Sequence, residues 1–311
     1  MSTLSTLIGR SLRFVGALSP PLAARLALRA FFTTAPRIAV RDTDAATDLA
    51  ARVRLLRVRG RLLTTYEWGT GERTVLLLHG WRGRASQFAP LIRELTYEGF
   101  RVVSFDAPAH GRSVGGRADI RDWVAAAEAL HARYGQFRAI VGHSLGGLAA
   151  LTVARSIAPT EFVAVVSGVG SPDPFMSAFA RDFRLDARTA GRVKARFLAR
   201  LGEDERSASL RYDAVLHPLP PGTELLVVHD IGDRRMPDTD ARRLHEVHAE
   251  RSRMLHTTGF GHTRILTSDT FLDAVTAVAT GGLAALDDPS SDDRAELSGL
   301  ELSSASHEHH G

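Results

Sequence analysis

The sequence predicts an α/β protein: a mostly parallel, doubly wound sheet with helices on both faces and a helical insertion over its carboxyl edge. Three observations predict it. From residue 75 to 166, short apolar runs alternate with helix-length stretches, the rhythm of βα units joined by short connections. Val75-Leu76-Leu77-Leu78 is apolar on both faces, as a central parallel strand must be. Between 171 and 223 the rhythm breaks into an Arg-, Ala-, Asp- and Leu-rich segment with helical periodicity and no good strand.

The first 41 residues carry Arg10, Arg13, Arg25, Arg29, Arg37 and Arg41, with no acid before Asp42. Leu4, Ile8, Leu12 and Val15 recur at helical spacing, as do Ala24, Leu28, Phe31 and Phe32. Pro20-Pro21 divides two short helices and Pro36 ends the second. Residues 1–45 therefore read as a basic amphipathic helical arm. Two roles fit it: packing on its own domain, or peripheral contact of residues 1–41 with an anionic membrane surface. Arginines interrupt every apolar stretch that could form a signal-peptide core, which argues against secretion.

From Arg52 the pattern alternates. Val53, Leu55 and Val58, then Leu62, Thr64 and Tyr66, read as two strands joined at Gly60. After the strand at 75–78 the order is helix 85–97, strand 101–105, helix 120–134, strand 139–141, helix 145–157 and strand 162–166. Beyond the insertion it resumes with strand 224–228, helix 238–249, strand 252–256 and helix 270–279. Residues 46–282 thus form one domain, and the acidic, Ser-rich end at 283–311 reads as a disordered tail. His307, His309 and His310 lie in that tail, where weak metal binding is the alternative to an unstructured polar end.

Composition narrows the function. Hydrophobic residues make up 44% and charged residues 24% of the 311, with a formal net charge of +4 and a pI near 10.0. That basic balance raises the question of nucleic acid. However, Lys194 is the only lysine and the arginines are scattered, so no basic-aromatic patch marks a phosphate-binding face and none is expected. The chain has no cysteine. Disulfides, thiolate metal sites and cysteine nucleophiles are excluded together. A cytoplasmic location follows as the expectation.

The chemistry centres on Gly142-His143-Ser144-Leu145-Gly146-Gly147, which directly follows a buried-type strand and opens a helix. Glycines on both sides let the backbone turn sharply. The turn lifts the Ser144 hydroxyl above the sheet edge, beside the free amides of a helix N-terminus. A serine nucleophile needs a base, and the base an orienting acid. Asp233 follows the strand ending at 228, and His262 in Gly259-Phe260-Gly261-His262 follows the last strand. Both fall just past strand ends, where sites of open α/β sheets collect. Asp230 and Asp173 compete for the acid, Asp230 with a turn cap as its other role. His229, His245, His248 and His256 compete for the base.

These residues resemble the α/β-hydrolase superfamily over roughly 53–279. The resemblance rests on His79-Gly80-Trp81, Asp106-Ala107-Pro108-Ala109-His110-Gly111-Arg112-Ser113, the Ser144 turn, Asp233 and His262. It implies Ser144 as nucleophile, Asp233 as acid, His262 as base, and the amides of Trp81 and Leu145 as oxyanion hole. Gly80, His79 and His143 would support the site, Trp81 and Phe260 would wall the pocket, and the insertion at 171–223 would be the lid. Ala109 departs from the family's usual glycine, in a loop that supplies no catalytic group.

A serine at the turn points away from the dehalogenase and epoxide-hydrolase branches, whose nucleophile is a carboxylate. The expected activity is hydrolysis of a carboxylic ester or related small-molecule acyl substrate through an acyl-enzyme, needing no metal or organic cofactor. Thioesterase, lipase, amidase and carbon–carbon bond hydrolase are alternatives within the fold. A non-catalytic, hydrolase-like binding protein is the alternative outside catalysis.

Overall fold

The computed structural model describes residues 3–156 and 158–287. Ile157 and the stretch 288–311, with its three histidines, lie outside the described residues. The chain opens with α1 (Thr3–Leu18), α2 (Pro20–Phe31) and α3 (Asp42–Leu49). The hairpin β1 (Arg52–Val58) and β2 (Arg61–Trp68) follows, then β3 (Thr74–Leu78), α4 (Ala89–Tyr97), β4 (Arg101–Asp106), α5 (Ile120–Tyr134), β5 (Ala139–His143), α6 (Leu145–Ala154) and β6 (Phe162–Val166). The insertion is α7 (Asp173–Asp182), α8 (Ala187–Leu201) and α9 (Glu205–Tyr212). The chain then runs through β7 (Glu224–Asp230), α10 (Thr239–His248), β8 (Ser252–Thr257), α11 (Gly261–Arg264) and α12 (Asp269–Gly281).

One eight-stranded sheet holds these elements, in the order β1-β2-β4-β3-β5-β6-β7-β8. Only the β1–β2 and β2–β4 pairings are antiparallel. The β1–β2 turn has Arg59 at φ 48° and Gly60 at φ 74°, the paired positive angles of a two-residue hairpin whose twist matches its strands. From β4 to β8 all strands run the same way. Their carboxyl ends therefore share one edge.

The period of two along each strand divides the core. Leu76 and Leu78 of β3 face the layer of α5 and α6, while Val75 and Leu77 face that of α4 and α12. The arm and the insertion join the first layer: Leu12, Ala24, Ala27, Val193, Phe197 and Leu201 all belong to that cluster. Along α8, Thr189, Val193, Phe197 and Leu201 are buried at intervals of four, one helical face. Asp186 caps its start by accepting from the Thr189 amide at 2.9 Å, and Gly202 at φ 70° ends it.

Three expectations are corrected. The arm boundary at 45/46 falls inside α3, a polar helix (DTDAATDL) with no apolar periodicity to reveal it. The helix expected at 85–97 starts as a 3-10 turn, Ala85–Phe88, before Pro90 sets the first turn of α4. The tail boundary at 283 cuts off a packed 3-10 turn, Leu283–Leu286. Leu283 is buried there, and its amide donates to Glu224 Oε2 at 2.8 Å.

Candidate active site

Between β5 and α6 the chain turns at Ser144, whose φ of 54° and ψ of −119° lie where an L-residue is strained. Its neighbours hold it there. The Ser144 amide donates to the Val166 carbonyl at 2.9 Å, and the Ser144 carbonyl accepts from the Gly147 amide at 2.9 Å. Glycine is required on both sides by close backbone approach. A Cβ at Gly142 would lie 2.2 Å from the Gly146 oxygen, and one at Gly146 would lie 2.0 Å from the Leu78 oxygen. The Ser144 side chain makes no bond to its own helix terminus, so the hydroxyl is left for another partner.

That partner is His262. Its Nε2 stands 3.0 Å from Ser144 Oγ, and its Nδ1 stands 2.7 Å from Asp233 Oδ2. The second Asp233 oxygen accepts from the amides of Arg235 at 2.8 Å and Met236 at 3.1 Å. Burial pushes the Asp233 carboxyl pKa up. The hydrogen bond and charge of His262, with the two amides, outweigh that and hold it below the usual carboxylate range. The carboxylate is therefore ionised at neutral pH, and it orients the imidazole with Nε2 toward the serine. Sites at the ends of β5, β7 and β8, up to 118 residues apart in sequence, meet within hydrogen-bonding distance.

The competing residues have other employment. Asp230 closes the ends of β7 and β8: it accepts from Thr257 Oγ1 at 2.8 Å and from the amides of Phe260 and Gly232 at 2.9 Å each. Asp173 is exposed and pairs with Lys194. His229 donates from Nε2 to the Met236 carbonyl at 2.8 Å, and burial holds its pKa below the usual histidine value. Its 3.7 Å approach to Asp233 is therefore packing of a neutral ring, not an ion pair. His245 bonds Ser252 Oγ, His248 bonds the Leu219 amide, and His256 lies 3.4 Å from Asp238.

A cavity of about 330 Å³ opens onto Ser144 and His262. Trp81 and Leu145 line it beside the serine. Among the described residues neither amide makes a backbone hydrogen bond. Apolar side chains form much of the rest of the wall: Leu148 from α6, Phe175, Met176 and Phe179 from α7, Phe197 from α8, and Phe31 and Phe32 from the arm, with Arg82, Asp119, Asp182 and Arg235 also lining it. Phe31 meets Phe179 edge-on at 5.1 Å, and Phe32 stacks on Phe197 at 6.0 Å. The segment after α2 is also tied to the loop after β3. Trp81 Nε1 donates to the Thr33 carbonyl at 3.3 Å, Arg82 to Ala35 at 2.6 Å and Arg84 to Ile38 at 3.2 Å. The arm is thus part of the site wall, a role its amphipathic pattern did not reveal.

The family model described as "Alpha/beta hydrolase family" matches residues 75–297. The chain belongs to the alpha/beta hydrolase family. This hydrolase is 33% identical over 172 residues to a pimeloyl-[acyl-carrier protein] methyl ester esterase of Sodalis glossinidius, covering 49% of this chain and 63% of that one. It is 36% identical over 110 residues to a non-heme haloperoxidase of Rhodococcus erythropolis, covering 34% and 40%. The chain thus spans less than two thirds of the length of either curated relative. An esterase of Pyrococcus furiosus shares the fold, with a TM-score of 0.58 at 18% identity over 80% of this chain and 95% of that one.

Three further histidines near the candidate site are buried. His143 donates from Nε2 to the His262 carbonyl at 2.7 Å, so it holds the backbone of the residue facing Ser144. His79 accepts the Ala107 amide at Nε2, 3.0 Å, and donates from Nδ1 to the Gly80 carbonyl at 2.8 Å. His110 donates to the Pro108 carbonyl at 2.8 Å and packs edge-on against Trp81 and Trp123. Gly80 leaves the space the His143 ring needs: a Cβ there would lie 3.0 Å from both His143 Nδ1 and Ser144 Cβ. Asp106, wholly buried, braces the same loops by accepting from the amides of Ala85 and Arg112 and from the Tyr66 hydroxyl. Ala109 sits at φ 63°, which explains why glycine is the easier residue there.

Phe260 is a correction. It does not line the cavity; its ring packs on the α4–α12 side of the core. Its amide donates to Asp230 Oδ2 at 2.9 Å.

Burial, followed by the neighbouring histidine's charge, lowers the pKa of both His143 and His110 to about 3. Both rings are neutral when folded and protonate near 6.5 when unfolded. Between those values the unfolded chain binds more protons, so stability is full above about pH 6.5 and is lost as pH falls. We expect unfolding free energy to drop by about 1.4 kcal/mol per pH unit for each of these histidines on acidification from pH 6 toward 4. Urea titrations across that range measure it, and a flat profile counts against neutral burial.

Proposed function

We propose that this hydrolase cleaves carboxylic esters or closely related acyl substrates through an acyl-enzyme on Ser144. The continuous hydrogen-bonded line from Ser144 Oγ through His262 to Asp233, at 3.0 and 2.7 Å, carries the reading. Ser144 Oγ attacks the carbonyl carbon while His262 Nε2 takes its proton. Asp233 holds Nδ1–H in place and stabilises the imidazolium. The amides of Trp81 and Leu145 donate to the developing oxyanion, each such donor being worth about 3 kcal/mol where one has been removed. Collapse of the tetrahedral species breaks the carbonyl–oxygen bond, and His262 returns the proton to the departing alkoxide. Water, deprotonated by His262, then releases the acid and restores Ser144.

The cavity wall supports an apolar acyl group. Phe31, Phe32, Phe179 and Phe197 surround the space next to Ser144, and burial of a chain there contributes about 0.8 kcal/mol per methylene. The curated relative from Sodalis glossinidius, named for a methyl ester of an acyl chain, fits the same class.

A fluorophosphonate probe tests the reading. Peptide mapping is expected to find the phosphonyl adduct on Ser144 at one per chain, with matching loss of hydrolysis of a short p-nitrophenyl ester. A Ser144 that stays unlabelled under conditions that label a reference esterase would sink it. Running matched ester and thioester series of increasing acyl length then ranks the two leaving-group classes.

A further inference from the structure

The arm has two faces, and only one serves the fold. Leu12, Ala23, Ala24 and Ala27 are buried against the domain. On the opposite side Phe14 is 71% exposed, Leu18 74%, Leu22 46% and Leu26 36%. Phe14 and Leu18 stand one turn apart on α1, and Leu22 and Leu26 one turn apart on α2, and Arg10, Arg13, Arg25 and Arg29 are exposed among them. None of these arginines makes an ion pair among the described residues. The helix α8, packed on α2, carries exposed Arg188, Arg192 and Arg196 at the same spacing, with the capping Asp186 at its start beside Gly16 of α1.

A face turned to water alone would carry polar residues of both signs. This one combines large apolar side chains with arginine and has no acid in its first 41 residues. A row of exposed apolar residues marks an interaction surface, and the charges of α1 and α2, all positive, fix the sign of the partner. A second copy of the face would set arginine against arginine, which is repulsive. A nucleic acid would satisfy the arginines and leave the leucines in water. An anionic lipid surface satisfies both, with phosphates at the level of the guanidinium groups and hydrocarbon below. The position fits as well, because α2 runs directly into Ala30, Phe31, Phe32 and Thr33 on the cavity wall. No described helix is long and apolar enough to cross a membrane, so the contact is peripheral.

We propose that the outward face of α1 and α2 seats this hydrolase on an anionic lipid bilayer, with Phe14, Leu18, Leu22 and Leu26 entering the interface and the arginines held among the lipid phosphates. The proposal stands on the arm alone and does not depend on the chemistry of Ser144.

Co-sedimentation of the full chain with vesicles tests it. The chain is expected to pellet with phosphatidylglycerol–phosphatidylcholine vesicles and to stay in solution with phosphatidylcholine alone. Binding should fall about tenfold as salt rises from roughly 0.1 to 0.5 M. The pair Leu18→Ser and Leu22→Ser should weaken binding by about tenfold or more, and Arg25→Gln with Arg29→Gln by roughly fivefold per arginine. Both pairs should keep the melting temperature and any hydrolysis of a water-soluble short-chain ester, since these side chains touch neither core nor cavity. Failure of the full chain to bind anionic vesicles overturns the proposal, as does equal binding to neutral ones or binding unchanged in both pairs. A dimer in vesicle-free solution that the leucine pair abolishes gives the face to a second copy and overturns it too. Vesicle binding without ester hydrolysis leaves this proposal standing and removes the one about function.

Discussion

Replacing Ser144 with alanine is expected to lower kcat/KM for an activated short-chain ester by about 10⁴-fold or more. Alanine keeps the Cβ and hence the strained backbone at φ 54°, so the turn and the α6 terminus stay in place. What disappears is the hydroxyl oxygen that stands 3.0 Å from His262 Nε2. The residual rate reports whatever the cavity and the amides of Trp81 and Leu145 contribute without a nucleophile. Stability should change little: one partly buried hydrogen bond is worth about 1 kcal/mol, a shift of roughly 2–4 °C at most in a domain of this size. Steady-state kinetics beside a thermal melt separate the two. A variant that retains wild-type activity ends the nucleophile assignment, and a collapsed melt would mean the loss was one of folding.

Asp233→Asn should be nearly as severe, lowering kcat by about 10⁴-fold, for a reason specific to this loop. One Asp233 oxygen accepts from the amides of Arg235 and Met236 and the other from His262 Nδ1. An asparagine must keep its oxygen on the two backbone donors, because its NH₂ cannot accept from them. The NH₂ then faces His262 and makes Nδ1 the acceptor, which puts the ring proton on Nε2. In that tautomer Nε2 cannot take the proton of Ser144. The fold should persist, since the carboxamide fills the same space and keeps both loop bonds. Burst kinetics at neutral pH check it; an acylation rate within tenfold of the parent would show that Asp233 does not set the tautomer.

The residues that carry the site were legible to different degrees. Ser144 could be found because its signal is local: a strand, a glycine-bounded turn and a helix within a dozen residues. His262 was nearly as plain, lying past the last strand, whereas His245, His248 and His256 fall inside elements. The choice between Asp230 and Asp233 was not local. They stand three residues apart, both past a strand end, and the sequence leaves either possible. The fold decides, since Asp230 ends β7 and turns into the β8 loop, whereas Asp233 sits beyond the turn and reaches His262. Phe260 shows the converse failure: adjacency to His262 in sequence suggested the cavity wall, yet the ring packs on the other side of the sheet.

Alternation of apolar runs and helical stretches determined the doubly wound sheet, and the shared direction of its strands determined that the serine, acid and histidine would gather at one edge. These follow from short-range periodicity, which reports which face of an element is buried. It does not report what covers that face. Phe31 and Phe32 were visible as the inner stripe of a helical arm, but their partners Phe179 and Phe197 lie more than a hundred residues away. That the arm closes the cavity and braces the Trp81 loop was decided by packing between distant segments. So was the side of the arm left exposed. Burial of one stripe is encoded locally, whereas the choice of partner is a property of the whole tertiary fold.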